Sequence, residues 1–209
     1  MSNKKGQLIV ISAPSGTGKT SVIKNVIKKL NREKQKSKFS VSHTTRLPRK
    51  GDIDGSDYFF VSEERFMQLF EAGNFLETAE VHDYKYGTSK DFIDENIERG
   101  VNVFLEIDVQ GFEELKSKNV KFKSIFILPP SIHELMNRIQ KRGLDSETVI
   151  EKRMKNALNE LTKAKEYDYL VINDVFEDAV KELLQIVMDN AFQDVLHDKK
   201  RKMLQDLLS

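Results

Sequence analysis

The segment LIVISAPSGTGKTSVIKNVI, residues 8–27, constrains the fold more than any other part of the chain. A short apolar run precedes a glycine-containing loop and an apolar stripe with helical spacing, which predicts a strand, a loop and a helix in that order. The loop departs from the phosphate-binding pattern G-x-x-x-x-G-K-[ST] only at its first position, where Ala13 stands. Glycine is required only where φ is positive or where a Cβ would obstruct the phosphate. Because Ala13 follows the strand, we expect a negative φ there and a functional loop.

The residues of this loop have distinct expected roles. The backbone at Gly16 and Gly18 would wrap the phosphates, Lys19 would reach the β- and γ-phosphates, and the hydroxyl of Thr20 would ligate Mg²⁺. The complete candidate set for the nucleotide is Ala13, Pro14, Ser15, Gly16, Thr17, Gly18, Lys19, Thr20 and Ser21. GTPases, ATPases and small-molecule kinases all share such a loop, so it does not identify the reaction by itself.

A GTPase is one hypothesis, because residues 108–111 (DVQG) match the D-x-x-G segment of those enzymes. The sequence has no N-K-x-D segment, however, which GTPases use to recognise guanine. Asp108 also closes the apolar run FLEID, where any enzyme with a phosphate loop could use a carboxylate near Mg²⁺. The match to D-x-x-G is therefore interpreted as coincidental.

Apolar runs alternate with helical patterns along the rest of the chain. Strands are predicted at residues 8–12, 39–42, 101–108, 123–128 and 168–174. Helices are predicted at residues 22–30, 63–72, 131–143, 145–161, 176–192 and 194–209. Several of the strands are almost wholly apolar, as in parallel strands covered on both faces. The pattern predicts an α/β fold with a mostly parallel sheet flanked by helices.

Composition excludes several classes of protein. The chain has 39% hydrophobic and 32% charged residues and no cysteine, which is typical of a globular protein of the reducing cytoplasm. No apolar run is long enough to span a membrane. Residues 1–50 carry 13 Lys or Arg and a single acid, but no aromatic residues are interleaved with these charges to stack on bases. We therefore expect no nucleic-acid partner and no membrane association.

Residues 40–90 break the alternation with short aromatic-rich strand candidates around one helix, which predicts an inserted subdomain of mixed sheet. Arg46 and Arg49 are separated by Leu-Pro, and Pro48 disfavours helix at Leu47. We expect both guanidinium groups to project from a stiff, extended turn, where they would suit a phosphate dianion. Two phosphate sites in one chain indicate phosphoryl transfer between two nucleotides.

Eight segments occur in the order found in guanylate kinases, and together they identify a resemblance to that family from about residue 7 to about residue 188. They are APSGTGKTS, VSHTTRLPRKGDIDGSDYFF, FLETAEVHDYKYGTS, FLEIDVQG, ILPPS, RIQKRG, EKRM and YDYLVIND. The resemblance implies transfer of the γ-phosphoryl group of Mg-ATP to GMP. It also implies a core at residues 1–37, 94–128 and 151–209, a GMP-binding subdomain at 38–93, and a short helical lid at 129–150.

The resemblance further implies a GMP site within the inserted subdomain. Its residues would be Ser42, Arg46, Arg49, Tyr58, Glu77, Tyr86, Gly87, Thr88, Glu106 and Asp108. Glu77 would recognise guanine, because guanine presents N1–H and N2–H₂ as adjacent donors to one carboxylate, whereas adenine has no proton on N1. Glu106 and Asp108 are two apart on a predicted strand, so their side chains would share a face. Asp108 would help to hold guanine and Glu106 would orient a Mg²⁺-bound water.

The lid would supply cations for the transferring group. Arg138 and Arg142 lie at i,i+4 on a predicted helix, and with Arg153 and Lys19 they form the implied catalytic set. Asn173 matches a position near the base or ribose of ATP. A homo-oligomer, a dimer, is expected.

Two rival functions remain open from the sequence. One is a non-catalytic guanylate-kinase-like module that binds proteins, against which the retained Lys19 and lid arginines argue. The other is a kinase for AMP or dTMP, against which Glu77 argues, together with the hydroxyls of Ser42 and Thr88.

Overall fold

A computed structural model describes residues 5–81, 83–141, 147–189 and 197–208. The strands in these residues are β1 (Leu8–Ser12), β2 (Ser37–Phe39), β3 (His43–Thr44), β4 (Phe59–Phe60), β5 (Phe75–Val81), β6 (Tyr84–Ser89), β7 (Asn102–Glu106), β8 (Lys123–Leu128) and β9 (Tyr169–Ile172). The helices are α1 (Lys19–Arg32), α2 (Glu63–Glu71), α3 (Lys90–Glu98), α4 (Val109–Ser117), α5 (Ile132–Lys141), α6 (Glu147–Lys163), α7 (Phe176–Met188) and α8 (His197–Leu208), with a 3-10 turn at Ala164–Glu166.

The chain divides into two compact units. Unit 1 comprises Met1–Leu8 and Gln35–Phe122, and unit 2 comprises Ile9–Lys34 and Lys123–Ser209. The predicted three-part division into core, GMP-binding subdomain and lid stays a prediction.

Unit 2 is built on parallel strands. Strand β8 pairs in parallel with β1 and with β9, so that Ile125 lies opposite Ile11 and Tyr169. The β8 side chains from Ser124 onward are buried, and apolar residues of α1 and α7 pack against each other. Continuous burial of this kind is expected for parallel strands. The predicted bounds of β1 and β8 are confirmed.

Unit 1 contains a parallel pair of strands and a separate mixed sheet. Strand β2 pairs in parallel with β7. The mixed sheet has the order β4-β3-β6-β5, in which β3 and β4 are parallel while β6 is antiparallel to both β3 and β5. Buried Phe66 of α2 packs on Phe75 of β5, with ring centroids 4.7 Å apart. The prediction of an α/β fold with mostly parallel strands and helices is confirmed, with the mixed sheet at residues 43–89.

Two predicted helix starts are confirmed by their caps. Ser62 Oγ accepts a hydrogen bond from the backbone N–H of Arg65, 3.1 Å away, at the start of α2. Ser131 Oγ accepts from the N–H of Glu134, at 3.0 Å, at the start of α5. Each bond satisfies one backbone donor that the first turn of a helix leaves unpaired. None of the helices in the described ranges is long and apolar enough to cross a membrane.

Some local predictions were wrong. The strand predicted at residues 39–42 does not form as such, because β2 ends at Phe39 and β3 begins at His43. The nine-residue helices α3 and α4 were not predicted. Their N-caps are Ser89 and Asp108, and each cap side chain accepts a hydrogen bond from a backbone N–H of the first turn.

Helix α8 packs on β9 and α6 of unit 2, and it carries an almost completely buried lysine. The side chain of Lys200 is 1% exposed, and its ammonium pairs with Glu182 Oε1 of α7. A buried charge is stable only when paired, so this ion pair fixes the position of α8.

We expect Lys200→Met to lower the free energy of unfolding by about 1–3 kcal/mol, because Glu182 loses a charged hydrogen-bond partner. Urea denaturation measures the change. The matched control is Lys199→Met, since Lys199 is the exposed neighbour and its change should stay within about 0.5 kcal/mol. Equal effects of the two substitutions would contradict the structural role of the buried pair.

Candidate active site

The loop between β1 and α1 has the backbone expected of a phosphate loop. Gly16 and Gly18 have φ values of 89° and 85°, a region that side chains other than glycine rarely adopt. Ala13 is buried and does not have a positive φ, as predicted. A methyl group is therefore compatible with the loop at this position.

Internal hydrogen bonds fix the shape of the loop. The hydroxyl of Thr17 donates to Pro14 O over 2.7 Å, and Asn173 Nδ2 donates to Thr17 O over 2.6 Å. An ideal Cβ at Gly18 would lie 2.9 Å from Asn173 Nδ2, so this glycine is required for close approach as well as for its φ. The structure thus places the buried amide of Asn173, expected near the base or ribose, against the loop backbone.

The first turn of α1 presents the remaining loop residues. Lys19 is half-buried, while Thr20 and Ser21 are exposed. The positive end of a helix dipole favours an anion at such a position. Among the described residues, no group of three or more His, Asp or Glu side chains is placed to hold a metal ion. Magnesium commonly takes few protein ligands and completes its shell with phosphate oxygens and water, so the hydroxyl of Thr20 fits that role.

The proposed lid arginines have different surroundings. Arg138 Nε donates to Glu134 Oε1 over 2.8 Å, and its Nη1 donates to Asn173 O over 3.2 Å. The same Asn173 therefore contacts both Arg138 and the phosphate loop. Arg153 is half-buried on α6. Arg142 lies outside the described residues.

In unit 1, Arg46 is oriented differently from the prediction. Its side chain is only 9% exposed and donates to Asp52 Oδ2 over 2.8 Å, and its guanidinium lies 5.2 Å from the ring centre of Tyr58. The same Asp52 oxygen accepts from the backbone N–H of exposed Arg49, also over 2.8 Å. Arg46 therefore does not project from the turn, because its charge is satisfied by Asp52 and its planar group packs on aromatic rings. The hydrogen bonds from Arg49 and Arg46 lower the pKa of Asp52.

Two tyrosines lie beside Arg46. The rings of Tyr58 and Tyr86 meet edge to face with centroids 5.7 Å apart. Burial raises the pKa of Tyr58 to about 12, and the negative charge of Glu106 acts in the same direction. The Tyr58 hydroxyl therefore keeps its proton near neutral pH and can donate a hydrogen bond to an anion.

Glu77 is the central acidic group of unit 1. Its side chain is 3% exposed, and Thr88, opposite it on β6, donates its hydroxyl to Glu77 Oε1. Burial is the largest cause of a pKa for Glu77 that is raised from its usual 4.5 to about 7. The charges of Asp108 and Glu114 contribute to the rise, whereas the Thr88 hydrogen bond and Lys118 oppose it. The carboxyl group is thus costly to ionise in the free protein, and a ligand that donates hydrogen bonds would stabilise its charged form.

Asp108 does not share a strand with Glu106, contrary to the prediction. Strand β7 ends at Glu106, and Asp108 caps α4 by accepting from the backbone N–H of Gly111 over 3.0 Å. The preference of aspartate for helix N-caps accounts for the difference. The remaining predicted residues of this set also lie in unit 1: Ser42 just before β3, and Gly87 on β6, where an ideal Cβ would lie 2.8 Å from the ring of Phe75.

Two residues of this region were missed from the sequence. Asp52 holds the Arg46 turn, and its position three residues after Arg49 in the segment RKGD was an available signal for a turn. Gly111 lies on α4 where an ideal Cβ would be 2.5 Å from Glu77 Oε2. This close approach depends on tertiary packing and has no local sequence signal.

Comparisons with known proteins agree on one family. A sequence model of the family "Guanylate kinase" matches residues 5–190. The chain is 50% identical over 186 residues to a guanylate kinase of Caldanaerobacter subterraneus subsp. tengcongensis, covering 88% of each chain, and 43% identical over 209 residues to that of Pseudomonas fluorescens, covering 100% of each. The crystal structure of guanylate kinase from Anaplasma phagocytophilum superposes with a TM-score of 0.73 at 30% identity, covering 97% of this chain and 95% of that one.

The raised pKa of Glu77 predicts a specific dependence of stability on pH. The native state holds a proton that the unfolded chain releases near pH 4.5, so the free energy of unfolding should fall as pH rises from 4.5 to 7, by on the order of 3 kcal/mol at most. The Glu77→Gln variant has no ionisable group at this position, so the fall in the free energy of unfolding between pH 4.5 and 7 should disappear. The variant should therefore be more stable than the parent at pH 8 but not at pH 4. Chemical denaturation across pH measures it. Glu80→Gln, on the exposed face of β5, is the control, and an identical pH profile for the parent and Glu77→Gln would contradict the assignment.

Proposed function

The chain belongs to the guanylate kinase family and catalyses phosphoryl transfer from ATP to GMP; we propose that the phosphate loop of unit 2 binds Mg-ATP and that the mixed-sheet region of unit 1 binds GMP. Two observations, one in each unit, support this division above the others. A nearly buried carboxylate, Glu77, lies in unit 1, and a loop with two positive-φ glycines before a helix lies in unit 2. The first suits a base that donates hydrogen bonds, and the second suits a triphosphate.

Glu77 would accept hydrogen bonds from N1–H and N2–H₂ of guanine. These donors would compensate the ionised carboxylate for the water that it loses on burial. Adenine would offer an unprotonated N1 to the same carboxylate and be rejected. The hydroxyls of Ser42 and Thr88 are proposed to contribute near guanine O6, and Asp108 to help hold the base.

The phosphate of GMP would be held by Arg46, Arg49, Tyr58 and Tyr86. Asp52 keeps the Arg46 guanidinium and the Arg49 backbone in one turn, so the positive charge is oriented before the ligand arrives. Tyr58 retains its phenolic proton, so its hydroxyl can donate a hydrogen bond to a phosphate oxygen. Preorganised donors of this kind lose little entropy on binding.

The phosphate loop would bind the β- and γ-phosphates of ATP through its backbone N–H groups and Lys19. When bound, Mg²⁺ supplies neutralisation of the charge on these phosphates. Thr20 is proposed as its direct protein ligand and Glu106 as the group that orients one of its waters. Both are hard oxygen donors, which Mg²⁺ prefers.

The transfer itself is proposed to be direct and in line, with no covalent enzyme intermediate. The accepting phosphate is already anionic, so no side chain needs to act as a strong base. Lys19, Arg138, Arg142 and Arg153 would stabilise the charge that develops on the transferring group. The cytoplasmic location and the dimer expected from the sequence stay predictions.

The first test supplies GMP, AMP, CMP and dTMP separately with Mg-ATP and measures ADP release. We expect rapid release of ADP with GMP and not with AMP, CMP or dTMP. Glu77→Gln should lower kcat/KM for GMP at least about 100-fold, because an amide replaces one acceptor by a donor facing guanine. Comparable activity with another monophosphate would contradict the proposed role of Glu77. Retained GMP binding without transfer to any acceptor would favour the non-catalytic module.

A second test removes the positive charge of Lys19 from the phosphate loop. Lys19→Met should lower kcat on the order of 100- to 1,000-fold in a coupled ADP assay, since a cation aimed at the transferring group is lost. Lys28→Met is the matched control, because Lys28 is an exposed lysine of the same helix, and its kcat should stay within about twofold of the parent value. Equal kcat values for the two variants would exclude a catalytic role for Lys19.

A further inference from the structure

Strand β5, which carries Glu77, lies at one end of the mixed sheet of unit 1. One side of the strand pairs with β6, with Glu77 opposite Thr88. On its other side, no strand of this sheet within the described residues pairs with the backbone groups of β5, as the strand order shows. Such groups require other partners when water does not reach them.

Side chains of α4 bond to this free side of β5. Lys118 Nζ donates to Leu76 O over 2.9 Å, and Glu114 Oε2 accepts from the N–H of Thr78 over 2.7 Å. Gln110 Nε2 donates to Glu80 O over 3.2 Å. We call these three side chains, Gln110, Glu114 and Lys118, the edge ladder. Each has the hydrogen-bonding capacity that its backbone partner needs.

The distance between successive members of the edge ladder along α4 is close to the distance between their partners along β5. Its residues are four apart along α4 and its C-cap, a rise of about 6 Å, whereas their partners are two apart along β5, a rise of about 7 Å. The order is reversed between the two elements, so the helix runs opposite to the strand. Glu114 and Lys118 also form an ion pair with a distance of 2.6 Å between Oε1 and Nζ, which holds two members of the ladder together.

Glu77 lies between the two ladder bonds at Leu76 and Thr78. Its carboxylate is held on one side by the Thr88 hydroxyl and lies on the other against Gly111, the residue of α4 that has no Cβ to displace it. The N–H of Gly111 is in turn held by the cap residue Asp108. The backbone around Glu77 and the space for its carboxylate are therefore both set by α4.

We propose that the edge ladder and Gly111 position the Glu77 carboxylate, and that this face of α4 thereby sets the affinity and the selectivity for guanine. The inference rests on the proposed function of Glu77 as the group that binds guanine. Gln110, Gly111, Glu114 and Lys118 are positioning residues, since each acts through Glu77 or its backbone. The DVQG segment thus has a function in acceptor recognition instead of the GTPase role that its pattern suggests.

The first experiment uses Gly111→Ala. Alanine favours a helix more than glycine does, so a purely local effect would be neutral or stabilising. The added methyl group should instead displace the Glu77 carboxylate and raise KM for GMP at least tenfold, while KM for ATP stays within twofold.

A second readout compares GMP with IMP, which lacks the 2-amino group of guanine. A displaced carboxylate loses two donors from GMP but only one from IMP, so the ratio of kcat/KM values for GMP over IMP should fall at least fivefold in Gly111→Ala. General destabilisation would lower both values together and leave their ratio unchanged.

The edge ladder is tested with Glu114→Ala, Glu114→Gln and the matched control Glu113→Ala. Glu113 is the exposed neighbour on α4 and is not a member of the ladder. Glu114→Ala should raise KM for GMP severalfold with KM for ATP unchanged. Glu114→Gln should recover much of the loss, because its amide oxygen can still accept from Thr78 N–H. Glu113→Ala should behave as the parent.

The outcomes separate the two proposals. A parent enzyme without GMP phosphorylation would overturn the proposed function itself. An active parent whose Gly111 and Glu114 variants keep the KM for GMP and the GMP-to-IMP ratio would overturn only the positioning role. An equal loss of affinity for GMP and for ATP would also overturn it. If Gly111→Ala fails to fold, the three substitutions at Glu114 and Glu113 decide whether the edge ladder positions Glu77.

Discussion

The burial of one carboxylate determines much of the organisation of unit 1. At 3% exposure, Glu77 has lost most of its hydration, which raises its pKa to about 7. The surrounding structure compensates only in part: Thr88 donates one hydrogen bond, and Lys118 supplies a positive charge nearby. A site that satisfied Glu77 completely would leave nothing for a ligand to gain. The partial compensation therefore favours a partner with two adjacent donors, which is what guanine offers.

The proposed nucleotide site of unit 2 depends on a different physical feature. Its phosphate loop depends on backbone conformation at Gly16 and Gly18, and side chains mainly hold that conformation in place. Asn173 contributes most directly, since its amide bonds to the loop and its carbonyl accepts from Arg138. A buried carboxylate in one unit and a glycine-containing loop in the other are consistent with the proposed binding of a base by unit 1 and of a polyphosphate by unit 2.

The sequence predicted those features that depend on local patterns. The α/β class, the bounds of β1 and β8, the starts of α2 and α5, and the negative φ of Ala13 follow from periodicity and glycine stereochemistry. Helices α3 and α4 were missed although α2, of equal length, was predicted. Helix α4 contains Gly111, which disfavours a helix, and it is stabilised by its contacts with β5. The inward orientation of Arg46 and the cap role of Asp108 depend on partners that spacing alone does not reveal. Of the candidate site, the residue types were predicted, but their hydrogen-bond partners were not.

The coverage of β5 by α4 has a consequence for the behaviour of the chain in a crowded solution. An exposed strand edge is a template on which other polypeptides can add a strand, and proteins protect such edges with charges or with covering elements. Gln110, Glu114 and Lys118 combine both protections, because they occupy the backbone groups of β5 and two of them are charged. The same three side chains would thus be under selection for solubility as well as for recognition. Substitutions that relax substrate choice on this face would be expected to increase self-association during folding, which limits how freely new acceptor specificities can evolve there.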